Sequence, residues 1–220
     1  MAPGLGSLLS LLQLSDSAFP SGRYTLSYGL EALVQSGHLT VPSESTTLTT
    51  LLGDSIRFGA AQSDGVALAC AHRAAGTDGD VDLELVTEAD TRLTAVKLPR
   101  EAREASTRTG RAVLATASAA IGGTALQDYA ERVRRGGSPG NHAVVGELYA
   151  FASSWVAASV RLGLVDHRGA QALLHQARPV IASAALEVMD RDVSQISSCT
   201  PFLDVMSMRH EEAELRLFAS

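Results

Sequence analysis

The chain has 220 residues, 45% of them hydrophobic, which is enough to bury a sizeable core in one medium domain or two small ones. Its formal net charge of −6 argues against a nucleic-acid-binding surface, and the short cluster Arg132-Val133-Arg134-Arg135 reads as a solvated loop edge. Its two cysteines, Cys70 and Cys199, are far apart and form no C-x-x-C pair, so a disulfide framework is not expected and reduced cytoplasmic thiols are.

Leu5 to Leu14 is apolar enough to imitate the core of a secretory signal, and Ser17-Ala18-Phe19 imitates a cleavage neighbourhood. No Lys or Arg precedes Arg23, however, so the positive leader region is missing and a cytoplasmic location is expected. The segment reads instead as a short leucine-rich helix, a tight polar turn with Pro20 and Gly22, and a second helix starting near Tyr24. Leu26, Leu30, Leu33 and Val34 then fall on one helical face. The breakers of Ser36-Gly37-His38-Leu39-Thr40-Val41-Pro42 separate it from a helix carrying Leu48, Leu51, Leu52 and Ile56. Gly76-Thr77-Asp78-Gly79 reads as a loop, with Asp80 as the N-cap of a helix carrying Leu85, Val86, Leu93 and Val96. Pro99 suits the first turn of the next helix, and Glu101 lies near the positive end of its dipole. The small residues of Ala102–Ala120 allow close helix approach and predict a central place in a bundle.

Arg135-Gly136-Gly137-Ser138-Pro139-Gly140-Asn141 is the strongest loop signal. Val145, Leu148, Ala152, Trp155, Val156 and Ser159 form another stripe, and Leu173, Leu174, Ala177, Ile181, Ala184, Ala185 and Val188 the cleanest one, within which Pro179 predicts a kink or a boundary. No apolar run approaches the ~20 residues of a membrane span, and no segment sustains the period-2 alternation of a strand. The predicted fold class is all-α: a single domain over 1–220, a bundle of about eight to ten helices.

Motifs for chemistry are scarce. There is no P-loop, no G-x-S-x-G elbow, and His210-Glu211 begins an H-E-x-x-H pattern that Ala213-Glu214 does not complete. The Gly-Gly pairs at 122–123 and 136–137 follow no strand. His167 and His175 are two turns apart, but a pair without a third ligand does not make a metal site. Glu101, Glu104, Glu211, Glu212 and Glu214 read as helix-surface charges, with Glu212 and Arg216 as an i,i+4 pair supporting a terminal helix. The C-terminus carries Leu215, Leu217 and Phe218 among charges, which predicts either folding back on the bundle or contact with a partner.

Three stretches carry a resemblance. Leu11-Leu12-Gln13-Leu14 through Pro20-Ser21-Gly22-Arg23-Tyr24 to Ser27-Tyr28-Gly29-Leu30-Glu31 resembles the N-terminal signature of the UreF family of urease accessory proteins. Ser207-Met208-Arg209-His210-Glu211 followed by Arg216-Leu217-Phe218-Ala219-Ser220 resembles its C-terminal run. Trp155 to Leu174, and more weakly Ala102–Arg111, resemble its middle blocks. The chain departs from the family pattern at Arg23 (a second Gly there), Leu26 (an aromatic), Val165-Asp166 (Gly-Gln) and Ala219 (an Arg).

The resemblance implies a maturation factor that is not an enzyme and holds no cofactor stably. Nickel would be cargo of a complex, and GTP would be bound by a partner GTPase. The implied partners are the UreD/UreH accessory protein, the UreG GTPase, the urease apoprotein and a second copy of the chain, with no nucleic acid and no membrane. Residues 201–220 would be a partner-binding segment in which Arg209, His210, Glu211, Arg216, Leu217 and Phe218 order on the accessory protein. Tyr24, Ser27, Tyr28 and Glu31 would face the GTPase or the dimer partner. Tyr24 and Tyr28 also suit core positions on one helical face, whereas Ser27, Gly29 and Glu31 are not required by an apolar face. The alternative is an all-helical small-molecule-sensing or regulatory domain. A regulator of that kind needs a basic DNA-binding end, and the first forty residues offer only Arg23 as a strong base. A helical metal enzyme needs repeated E-x-x-H pairs, which are absent from the sequence.

Overall fold

A computed structural model describes residues 5–16, 18–74, 81–121, 140–213 and 216–218. Asp80, the basic cluster at 132–135, the Gly-Gly pair at 122–123 and Ala219 lie outside them. Among the described residues the regular structure is helical, as the periodicity predicts: α1 (Leu5–Ser15), α2 (Leu30–Gln35), α3 (Ser45–Asp54), α4 (Val66–Ala74), α5 (Leu83–Val96), α6 (Arg100–Ile121), α7 (Gly140–Arg161), α8 (His167–Val188) and α9 (Pro201–Glu211). A π-helical stretch, Ser55–Gly65, joins α3 to α4 without a break.

The core is organised by α7 and α8, which pack along their length as a hairpin. Their connection is short because both ends are capped locally. Gly163 takes φ of 73°, and the N–H groups of Leu164 and Gly163 donate to the carbonyls of Ser159 (2.9 Å) and Val160 (3.0 Å), closing the end of α7. The Asp166 carboxylate then accepts from the N–H of Gly169 at 2.7 Å and starts α8. Val144, Leu148, Ala152, Trp155 and Val156 from α7 meet Leu173, Ala177, Ile181, Ala185 and Val188 from α8, all buried. Leu48, Leu52, Ile56, Ala61, Val66 and Cys70 from the α3–π–α4 rod complete the cluster. Trp155 is fully buried, and a side chain of its size dominates such a core.

Several expectations change. The second helix does not start near Tyr24: Arg23–Thr25 is a single 3-10 turn, and the α-helix begins at Leu30. Tyr28 and Gly29 both take positive φ (55° and 81°), which a continuous right-handed helix forbids. Tyr24 and Tyr28 therefore do not share a helical face. The N-cap seen for α5 is Asp82, which accepts from the N–H of Leu85 at 3.0 Å. Helix α6 is not central: among its described side chains only Glu101 and Ala105 are buried, and its main described neighbour is α9. Small residues permit close approach but supply little apolar area to demand it. Pro179 lies inside α8, not at a boundary. Gly140 and Asn141 belong to α7, not to a loop. Ala143–Arg161 is long and apolar enough to cross a membrane, contrary to the sequence reading, but much of that apolar surface is the inner face of α7. Helix α9 stops at Glu211, and Arg216 pairs with Glu101 instead of Glu212.

Gly29 fixes how α2 enters the core. A Cβ there would lie 3.2 Å from Ser207 Oγ and 3.5 Å from the Leu203 carbonyl oxygen, so α9 crosses directly over it. Strain and crowding act together, and Gly29→Ala is expected to lower stability by roughly 1–3 kcal/mol in urea unfolding.

Candidate functional site

The two ends of the chain meet. Glu31, on the short helix α2, is buried, with a side chain only 1% exposed. One of its carboxylate oxygens lies 2.8 Å from His210 Nε2 and accepts from the backbone N–H of Phe218 at 3.1 Å. The other accepts from the N–H of Leu217 at 2.7 Å and from Gln35 Nε2 at 3.2 Å. His210, on α9, places its second ring nitrogen, Nδ1, 2.9 Å from the Glu101 carboxylate, and Glu101 also accepts from the Arg216 guanidinium at 2.8 Å. Glu211 closes the circuit: its carboxylate accepts from the N–H of Glu101 at 3.2 Å and lies 3.4 Å from Arg100 Nε, capping the start of α6. Buried charges persist only when paired and hydrogen-bonded, and here each carboxylate oxygen has a polar partner within reach.

A clamp lies beside this network. The Arg161 guanidinium, at the end of α7, sits 4.0 Å from the Tyr24 ring centroid and 4.5 Å from that of Phe218. It also donates to the Tyr24 carbonyl and, at 3.5 Å, to that of Leu26. One cation thus stacks on an aromatic ring from each chain end.

A second polar cluster supports the N-terminal turn from below. Arg23 donates to both carboxylate oxygens of Glu147 at 2.7 Å, and the Lys97 ammonium reaches both oxygens of Asp64 at 3.0 and 2.7 Å. Tyr28 stacks edge-on against Phe151 at 4.9 Å and is hydrogen-bonded to Ser154. Burial pushes its hydroxyl up to about 12, so it stays protonated. Burial would also raise the Asp64 carboxyl, but the charge and hydrogen bond of Lys97, with the Ser63 hydroxyl, outweigh it and hold Asp64 below the ordinary value.

The sequence candidates therefore divide by depth. Ser27, Glu31 and His210 are buried, and Glu31 and His210 face the junction. Tyr28 and Glu211 are half-buried. Phe218 packs partly against the core. Tyr24 and Leu217 are 66% and 84% exposed, and Arg209 and Arg216 are exposed as well. The C-terminal residues 216–218 are docked on the chain's own bundle. Three participants were not singled out from sequence. Glu101, read as a surface charge, is 4% exposed. Arg161 lies within the Trp155 to Leu174 stretch that carries the middle-block resemblance, a signal that could have found it. Arg23, a departure from the family pattern, has acquired Glu147 as its partner. Among the described residues no group of three or more His, Cys, Asp or Glu is arranged to hold a metal ion; His175 lies 3.5 Å from Arg178.

Comparison with known proteins is consistent with these motifs. A model of the UreF family matches residues 43–178. The urease accessory protein UreF of Trichodesmium erythraeum is 31% identical over 96% of each chain. This chain belongs to the UreF family of urease accessory proteins. A Nostoc relative of the same name is 30% identical over 96% of this chain and 95% of its own. UreF 2 of Brucella canis is 29% identical over 97% of this chain and 92% of its own. The family match spans the rod and most of the hairpin, while the relatives align over 96–97% of this chain.

Two outcomes follow from this geometry. Glu31→Ala strips the acceptor from two backbone N–H groups and a buried imidazole, and is expected to cost roughly 3–5 kcal/mol in chemical denaturation. The Asp64–Lys97 pair should stabilise the fold at neutral pH. Because the Asp64 carboxyl is held low when folded, that contribution is present above its unfolded titration and disappears as pH falls through the folded one. The stability gap between the wild type and Asp64→Asn, measured by urea unfolding at stepped pH, should close in acid.

Proposed function

We propose that this UreF-family chain is a urease maturation factor that acts by adhesion and carries out no chemistry of its own. It joins the UreD/UreH accessory protein and recruits the UreG GTPase to the urease apoprotein in the cytoplasm. GTP is held and hydrolysed by the GTPase, nickel is the cargo of the assembly, and the chain works as a homodimer. Family membership supports the urease context. The observation that carries the adhesive reading is the junction of the two end motifs, where buried Glu31 fixes the backbone of Leu217 and Phe218 while the Leu217 side chain stays 84% exposed.

An apolar side chain held rigidly in water stabilises nothing within its own fold. Tyr24, Arg209 and Arg216, residue types enriched at interface centres, are exposed as well. On the outer side of α9, Phe202, Val205 and Met208 are exposed as well. The proposal assigns α9 and the tail to the accessory protein, and the turn bearing Tyr24 to the GTPase. Ser27, Glu31 and His210 are positioning residues behind that surface.

The test is co-purification of the full chain with each partner, together with a urease assay at limiting nickel. Leu217→Asp and Tyr24→Ala leave the buried network intact and are expected to weaken partner capture by roughly tenfold or more. Removal of residues from Arg209 onward should abolish capture of the accessory protein. Undiminished capture by all of these variants, or full urease activation in cells lacking the chain, would refute the reading.

A further inference from the structure

We propose that His210 is a proton-operated latch on the C-terminal tail: the tail stays docked while the imidazole carries a proton on each ring nitrogen, and it loosens when the ring gives one up as pH rises. Nε2 lies 2.8 Å from a Glu31 oxygen and Nδ1 lies 2.9 Å from a Glu101 oxygen, and the ring is 1% exposed. A carboxylate can only accept, so both contacts are hydrogen bonds only when both nitrogens donate. A neutral imidazole has one donor. Whichever nitrogen is bare then sets its lone pair against a carboxylate oxygen, with no room for water to intervene.

The surrounding charges strengthen the effect. Facing the ring are Glu31 from α2 and Glu101 from α6, with Arg216 from the tail reaching Glu101 on its far side. At the rim, Glu211 of α9 lies against Arg100 of α6, and Arg209 is exposed. With a protonated ring the inner group holds two anions and two cations. Without that proton, two carboxylates share one guanidinium. The carboxylate that yields is one that holds the tail: Glu31 carries the Leu217 and Phe218 N–H groups, and Glu101 carries Arg216. The latch is a property of the free chain and does not depend on which partners it meets.

The experiment uses the full-length chain alone. Hydrogen-exchange protection of the Leu217 and Phe218 amides, corrected for intrinsic rates, is followed by NMR from about pH 6 to about pH 9. Wild-type protection is expected to fall roughly tenfold or more across that span. In Glu101→Gln the side-chain amide can either accept from Nδ1 or donate to it, so the tail should stay docked and the step should shrink or vanish. In His210→Gln the tail should be looser at every pH, with no step. Flat wild-type protection overturns the proposal, as does a step that persists unchanged in Glu101→Gln or in His210→Gln. If His210→Gln fails to fold, the comparison of the wild type with Glu101→Gln decides.

Discussion

The Glu31 carboxylate is withdrawn from water, so its lone pairs must be met by donors from the protein itself. Those donors come from the imidazole of α9, the backbone of the tail and Gln35 of its own helix. None of these segments can shift alone without leaving a charge or a polar group unpaired, which costs more than the net worth of any single bond. The positions of α2, α9 and residues 216–218 are therefore interdependent. The start of α6 joins the same unit through Glu101 and Glu211.

This polar unit sits against a dry one. The α7–α8 hairpin and the α3–π–α4 rod bury the large apolar side chains, and their stability is a matter of area and close packing. Hydrophobic burial is non-directional and leaves the orientation of short segments such as α2 loosely specified. Directional bonds to Glu31 and His210 supply that orientation. Arg161 connects the two units, because it belongs to the last turn of a core helix and stacks on rings from both chain ends.

The core was legible in the sequence because burial imposes a period. Leu148, Ala152, Trp155 and Val156, or Leu173, Ala177, Ile181 and Val188, are spaced by the geometry of one helix, and no distant information is needed to see it. The widening at Ser55–Gly65 was not legible, since Leu48, Leu52 and Ile56 read the same on either ladder. The site was half legible. The end motifs marked the right residues, but Glu31 reads as partner-facing and Glu101 as a surface carboxylate because the groups that allow their burial lie far away in sequence, at His210 and Arg216. Helix α6 was misplaced for a related reason: small side chains remove an obstacle to packing without creating a force toward it.

The departures from the family pattern follow the same physics. Arg23 stands where the family pattern has a glycine and would leave a cation half-buried, yet one of its guanidinium nitrogens donates to both carboxylate oxygens of Glu147 on α7. Asp166 replaces a glutamine and takes up a backbone task, accepting from Gly169 at the start of α8. Each of these side chains finds its partner within the chain itself. Within each end motif the same division runs residue by residue: Ser27, Glu31 and His210 face inward, whereas Tyr24, Arg209 and Leu217 face outward. A motif built in this way constrains sequence twice, once for the scaffold and once for the surface it presents. Changes at inward positions will therefore resemble interface defects in a binding assay, and only a measurement on the isolated chain separates the two.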